Sequence, residues 1–120
     1  MSIHTTSTIY DVVGMGEYPA RRMLKRNAPL ALAREPKNTH DPNAIRVSHA
    51  GGDQATIGYI QKNEARRLAR LMDDSGKFNL ISCSIDRIID NWNAEIRVVT
   101  ELPADSMDVL TEDYHFNGGD

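Results

Sequence analysis

The stretch Arg34–Val47, R-E-P-K-N-T-H-D-P-N-A-I-R-V, sets a run of hydrogen-bonding side chains between two prolines, directly ahead of a strand-like A-I-R-V. Pro36 and Pro42 bracket a loop, because each fixes its own φ and disfavours the helical region for the residue before it. Beyond the loop, A-I-R-V-S-H alternates, which places Ile45 and Val47 on one face of a strand and Arg46 and Ser48 on the other. Asn38, Asp41 and Asn43 are residues whose side chains readily satisfy the amides of a tight turn. The same side chains can instead grip a ligand. Asn43 is assigned to bracing, Asp41 suits both tasks, and Glu35 or Asp41 has Arg34 or Arg46 nearby as an ionic partner.

Working outward, T-I-Y-D-V-V-G is β-branched and aromatic and closes on Gly14, as a first strand would. E-Y-P-A-R-R-M-L-K-R-N follows as a short helix, with Pro19 in its first turn and Asn27 at its end. P-L-A-L-A-R reads as a second, half-buried strand. After the polar loop and its strand, the glycines of A-G-G-D supply a hairpin turn into A-T-I-G-Y-I. The best helix is K-N-E-A-R-R-L-A-R-L-M-D-D, with Asn63 as N-cap and Ala65, Leu68, Ala69 and Met72 spaced as one apolar face. Asp73 and Asp74 sit unfavourably near the negative end of its macrodipole. F-N-L-I-S-C-S-I-D-R-I-I and A-E-I-R-V-V-T complete the strands across D-N-W-N. Ile81, Cys83 and Ile85 are expected on one face. Six strands and two short helices, with hairpins dominant, predict a mainly β fold: a small, partly open barrel.

The chain of 120 residues, 40% apolar, suits one core. It contains no apolar run long enough to cross a bilayer and no secretory leader, and its single cysteine, Cys83, cannot pair internally. A cytoplasmic location without membrane attachment is therefore expected. The net charge of −3 conceals an asymmetry. Six of the 17 acidic residues lie from Glu101 onward, where there is no Lys or Arg, so residues 1–100 carry 14 basic against 11 acidic side chains, a balance of +3. A barrel domain over residues 1–102 followed by an acidic tail, 103–120, is the expected organisation. The positive balance of the barrel hints at a polyanionic partner.

Catalytic chemistry is sparse. Cys83 lies on an alternating strand and is read as core, not nucleophile. The four histidines are scattered, no phosphate-binding glycine loop precedes a helix, and no cofactor, metal or catalytic residue is assigned. Binding features are richer. Arg66, Arg67 and Arg70 lie on or beside the polar face of the long helix. Tyr18, Tyr59 and Trp92 each fall at or beside a loop, where an open ring serves as a stacking platform for a nucleobase.

The elements V-V-G at Val12–Gly14, R-E-P-x-N-x-x-D-x-N-A-I-x-V, and I-G-Y-I with its alanine-containing helix resemble, in order and spacing, the HIRAN domain. The resemblance spans about Ile9 to Val99. It implies a modified OB-like barrel that binds nucleic acid; in helicase-like DNA-repair remodelers the family captures the 3′-hydroxyl end of single-stranded DNA. On that resemblance Asn38 and Asp41 match the loop that holds the terminal nucleotide, with the Asp carboxylate accepting the terminal hydroxyl. His40 stands where a tyrosine is common. Tyr59 takes a ligand-facing position, Lys62 suits a phosphate, and Trp92 stands for a late aromatic. After V-V-G the family's DNA-end binder has an arginine and two tyrosines, whereas this chain has M-G-E-Y and keeps only Tyr18.

The function expected is a nucleic-acid-binding module for single-stranded DNA or exposed 3′ ends, in repair, replication or phage–host conflict. Arg21 or Arg22 and Lys62 would contact phosphates, and Tyr18, Tyr59 or Trp92 would stack on bases. A helicase or nuclease would be the protein partner that supplies the work. The alternative is a protein-interaction adaptor that keeps the fold but has lost end recognition, favoured by Glu17 and the acidic tail. A small metal-dependent nuclease is the weakest of the three readings.

Overall fold

Three long strands form the frame: β1 (Ile3–Val13), β5 (Asn79–Ile88) and β6 (Ala94–Pro103). Three short ones complete the sheet: β2 (Leu30–Arg34), β3 (Ile45–His49) and β4 (Thr56–Ile60). One helix, α1 (Lys62–Asp73), follows β4. The computed structural model describes residues 3–19, 24–52, 54–74 and 79–103. Every strand pair is antiparallel, in the order β2-β3-β4-β1-β6-β5. The ends of this sheet nearly meet. Pro29 bridges Ser84, and the Asn27 N–H donates to the Ile85 carbonyl at 2.8 Å. The result is the six-stranded, nearly closed barrel that the alternation and the hairpins predict.

The core follows from the inward set of each strand. Val12, Ile45, Val47, Ile57, Ile85 and Ile96 are fully buried, and Ala65, Leu68 and Ala69 of α1 close the barrel over them. Each large aliphatic side chain removed from water contributes about 1.5–3 kcal/mol. The helix starts two residues earlier than its sequence suggests. Gln61, not Asn63, is the N-cap, its side-chain oxygen accepting from the Asn63 and Glu64 N–H groups at 2.8 and 3.2 Å.

Two bulges in β5 change its face pattern. Leu80 and Ser82 oppose consecutive residues of β6, as do Ile85 and Arg87, so Ile81 and Asp86 are extra residues. Each insertion shifts the alternation by one. Leu80, Cys83 and Ile85 therefore turn inward and Ile81 is 50% exposed, against the expectation that it shares a face with Cys83. A third irregularity, between Val47 and Ser48, buries Ser48 on what simple alternation makes the outer face. Burial pushes the Cys83 thiol up to about 12, so it is packing and not a nucleophile.

The short helix expected from Pro19 to Asn27 crosses residues 20–23, which lie outside the described residues, as does the expected acidic tail beyond Pro103. What is described before Pro19 is a single 3₁₀ turn, Met15–Glu17. Asn27 does take the left-handed conformation of a terminating residue, at φ 68°. No described helix is long and apolar enough to cross a membrane.

Candidate nucleic-acid interface

The loop between β2 and β3 is held by its own side chains. Asn38 Oδ1 accepts from the N–H groups of His40 and Asp41 at 2.9 and 3.2 Å, and its amide donates to Glu35 Oε1 at 3.1 Å. Asp41 Oδ1 accepts from the Asn43 N–H at 2.9 Å. Arg34 secures the whole unit. Its guanidinium donates to the carbonyls of Ala44 and Pro42 and forms a two-point ion pair with Asp73 at 3.0 Å. That pair explains a carboxylate at the unfavourable end of α1: it faces an arginine 39 residues earlier in the chain.

The loop is joined to an aromatic pair. The Tyr59 hydroxyl lies 2.9 and 3.1 Å from the two oxygens of Glu35, to which it donates, and Arg46 Nη1 approaches Glu35 at 3.8 Å. Tyr18 packs against Tyr59 with ring centroids 6.3 Å apart. Desolvation, then the bond to Glu35 and its negative charge, push the Tyr59 phenol up to about 12. Gly58 makes this placement possible. A Cβ there would lie 2.7 Å from the Val13 carbonyl oxygen, so only glycine lets β4 cross β1 this closely.

Trp92 sits on the β5–β6 turn, where Asp90 Oδ1 accepts from the Trp92 and Asn93 N–H groups at 2.8 and 2.9 Å. The residue is 62% exposed. Its six-membered ring lies against Gly16, and a Cβ built at Gly16 would run into it. Two residues after V-V-G the chain thus has a glycine beneath an indole.

An open cleft of about 390 Å³ is lined by Asp41, Asn43, Lys62, Asn63 and Arg66. It brings the loop to the start of α1. Asp41 Oδ2 and the Asn43 side chain make no hydrogen bond among the described residues, and both residues line the cleft. Asn43 was expected to brace the loop with its side chain. Instead Asn38 and Asp41 do so, and among the described residues Asn43 contributes its backbone N–H. Lys62 is exposed at the first position of α1. His40 is exposed on the loop, and its ring has no partner among the described residues. Arg21 and Arg22 lie outside the described residues. Glu35 was expected only as an ionic partner of Arg34 or Arg46; its link from Tyr59 to Asn38 was missed at the sequence level because the contact between Glu35 and Tyr59 spans 24 residues. Among the described residues no three His, Cys, Asp or Glu side chains are grouped to hold a metal.

The sequence model of the HIRAN domain matches residues 6–103 of the chain. The chain belongs to the HIRAN domain family. Helicase-like transcription factor from Oryctolagus cuniculus is 41% identical over 63 residues, 52% of this chain and 6% of that protein. A Fanconi-associated nuclease 1 homolog from Oryza sativa subsp. japonica is 34% identical over 71 residues, 58% of this chain and 7% of its own length. The chain thus spans a small fraction of these relatives. In three dimensions it is similar to the crystal structure of the HIRAN domain of human HLTF, with a TM-score of 0.74 at 21% identity over 93% of this chain and 88% of the other. It is also similar to the HLTF HIRAN domain in its DNA-bound conformation, with a TM-score of 0.68 at 24% identity over 89% and 87% of the two chains.

Proposed function

We propose that this HIRAN domain binds nucleic acid, and that its ligand is a single strand of DNA ending in a free 3′-hydroxyl. One observation carries the reading. Asp41, a carboxylate with one bracing oxygen and one oxygen unengaged among the described residues, shares a cleft with the Lys62 ammonium, which has no partner among them either. A strand end offers the matching groups: a hydroxyl to donate to Asp41 Oδ2 and a phosphate for Lys62. The Tyr18–Tyr59 pair, tied to the loop through Glu35, stands as a platform for a base, with Trp92 as a second ring. His40, Arg21 and Arg22 are assigned to the same ligand, and Asn38 acts by shaping the loop. The relatives support this reading, since a HIRAN domain of HLTF takes a DNA-bound conformation. We place the protein in the cytoplasm as a module without catalysis of its own, serving repair, replication or phage–host conflict beside a helicase or nuclease.

A second reading, a protein-interaction adaptor, is favoured by Ile81, Ile88 and Ile89, each 44–50% exposed on or just beyond β5, and by exposed Glu17. Fluorescence-anisotropy titration of a single strand ending in 3′-hydroxyl against the same strand ending in 3′-phosphate separates the two. End capture requires the hydroxyl strand to bind more tightly and Asp41→Asn to remove the preference. Equal binding of both ends, or none, favours the adaptor.

A further inference from the structure

Lys62, Arg66 and Arg70 follow one another at intervals of four on α1, so they form one ridge along its outer face, about 12 Å long at 1.5 Å per residue. All three are exposed, and none of their side chains has a hydrogen bond or ion pair among the described residues. Arg67, the remaining arginine of the helix, is half-buried and its charge acts on Tyr10 and Glu64, so it belongs to the inner side. Like charges at this spacing repel by roughly 0.2–0.5 kcal/mol per pair. Glu64, the one acidic residue in the first turn, is spent on the Asp11 N–H at 2.8 Å. The ridge therefore costs the free protein a little stability and receives nothing in return from the described residues.

The surface beside it is continuous. A second open cleft, of about 400 Å³, is lined by Asn43, Arg66, Arg70, Asp73 and Asp74. It shares Asn43 and Arg66 with the cleft that holds Asp41 and Lys62. A ligand held at Asp41 meets Lys62 first, then Arg66, then Arg70. Asp73 is already engaged by Arg34, and with Asp74 it ends the positive run.

We propose that the phosphodiester backbone of a strand held by its 3′ end at Asp41 continues along this ridge, with Arg66 and Arg70 contacting the phosphates beyond the one at Lys62. This rests on the end-capture reading above. Successive phosphates of one strand lie about 3.4 Å apart along a stacked helix and farther apart when extended, so a ridge of this length serves two or three of them. The strand then runs from 3′ to 5′ from the N-terminus of α1 toward its C-terminus. The domain would read a tract of three to four nucleotides and not an isolated end.

The test is an affinity series on the full chain with oligonucleotides of two, three, four and six residues, each ending in 3′-hydroxyl or in 3′-phosphate, at several salt concentrations. The proteins are wild type, the Arg66→Gln/Arg70→Gln double variant and Arg87→Gln, a control on strand β5 that lines neither cleft. Wild type and Arg87→Gln should gain affinity from dinucleotide to tetranucleotide. The double variant should bind the dinucleotide as wild type does, gain nothing with length, and lose about 1.4 from the salt slope, two phosphates at roughly 0.7 each. A double variant that gains with length and keeps its slope overturns the ridge while leaving end capture intact. A wild type indifferent to a 3′-phosphate, whose slope still falls in the double variant, keeps the ridge and sinks end capture. A wild type that binds no strand sinks both.

Discussion

The loop at residues 35–44 and the outer face of α1 are both rich in polar side chains, and they use them in opposite ways. In the loop the bracing groups engage one another and the barrel: Asn38 has three partners, Glu35 accepts from Tyr59 and Asn38, and Asp41 Oδ1 accepts from the Asn43 N–H. On the helix the three ridge cations are engaged by nothing among the described residues. Polar groups that satisfy each other fix a shape, and polar groups left over are available to a ligand. Asp41 belongs to both classes, one oxygen to each, and it stands where the two regions meet in one cleft.

That contrast breaks most easily at Arg34. Its guanidinium bonds two loop carbonyls and Asp73, so Arg34→Ala should destabilise the protein by roughly 1.5–3 kcal/mol, the range for hydrogen bonds to a charged group. Urea denaturation measures it. A loss under about 0.5 kcal/mol, the size typical of an ordinary surface substitution, would mean the loop is not held as described. Asp41 separates the two roles within one residue. Asp41→Asn keeps an oxygen for the Asn43 N–H and removes the second acceptor, so the melting temperature should stay near wild type. The preference for a 3′-hydroxyl end should fall about 10- to 100-fold, the equivalent of one hydrogen bond to a charged acceptor. Asp41→Ala, by contrast, should lose stability as well.

Glu35→Gln probes the junction between the rings and the loop, with an expected cost near 1 kcal/mol. In wild type the Tyr59 phenol is held at about 12 against an ordinary value of 10. The folded protein therefore keeps a proton that the unfolded chain gives up. The associated stabilisation is complete below pH 10 and is lost as the pH rises toward 12. Absorbance titration near 295 nm should show Tyr59 ionising earlier in Glu35→Gln, while buried Tyr10, also at about 12, stays late. The smallest effect on stability belongs to the helix. Lys62→Ala should change it by less than about 0.5 kcal/mol while lowering the salt slope of strand binding by about 0.7.

These two regions also differ in how well the sequence announces them. The turn chemistry of the loop is local: Asn38 and Asp41 bond residues two and three positions away, so their bracing role is visible in R-E-P-K-N-T-H-D-P-N. The strands and α1 were legible for the same reason, because their apolar periods are local. What sequence missed depends on pairing across the fold. The bulge that exposes Ile81 exists only in register with β6, and the pairing that makes Asp73 favourable comes from β2. Gln61 displaced Asn63 as N-cap because a long side chain folded back on two amides, something position preferences do not reveal. Gly16 looked like a simple loss of an arginine. Its meaning changes once Trp92 is seen to lie on it, since Gly16→Arg should be tolerated only if the indole swings away.

Backbone chemical-shift mapping of the ¹⁵N-labelled chain with a 3′-hydroxyl tetranucleotide addresses the central claim most directly. The expected result is a contiguous set of perturbed amides over the loop around residues 38–43, Tyr59 and α1 from Lys62 to Arg70, with Ile81, Ile88 and Ile89 unmoved. Perturbation centred on that isoleucine surface, or none at all with saturating ligand, would contradict it.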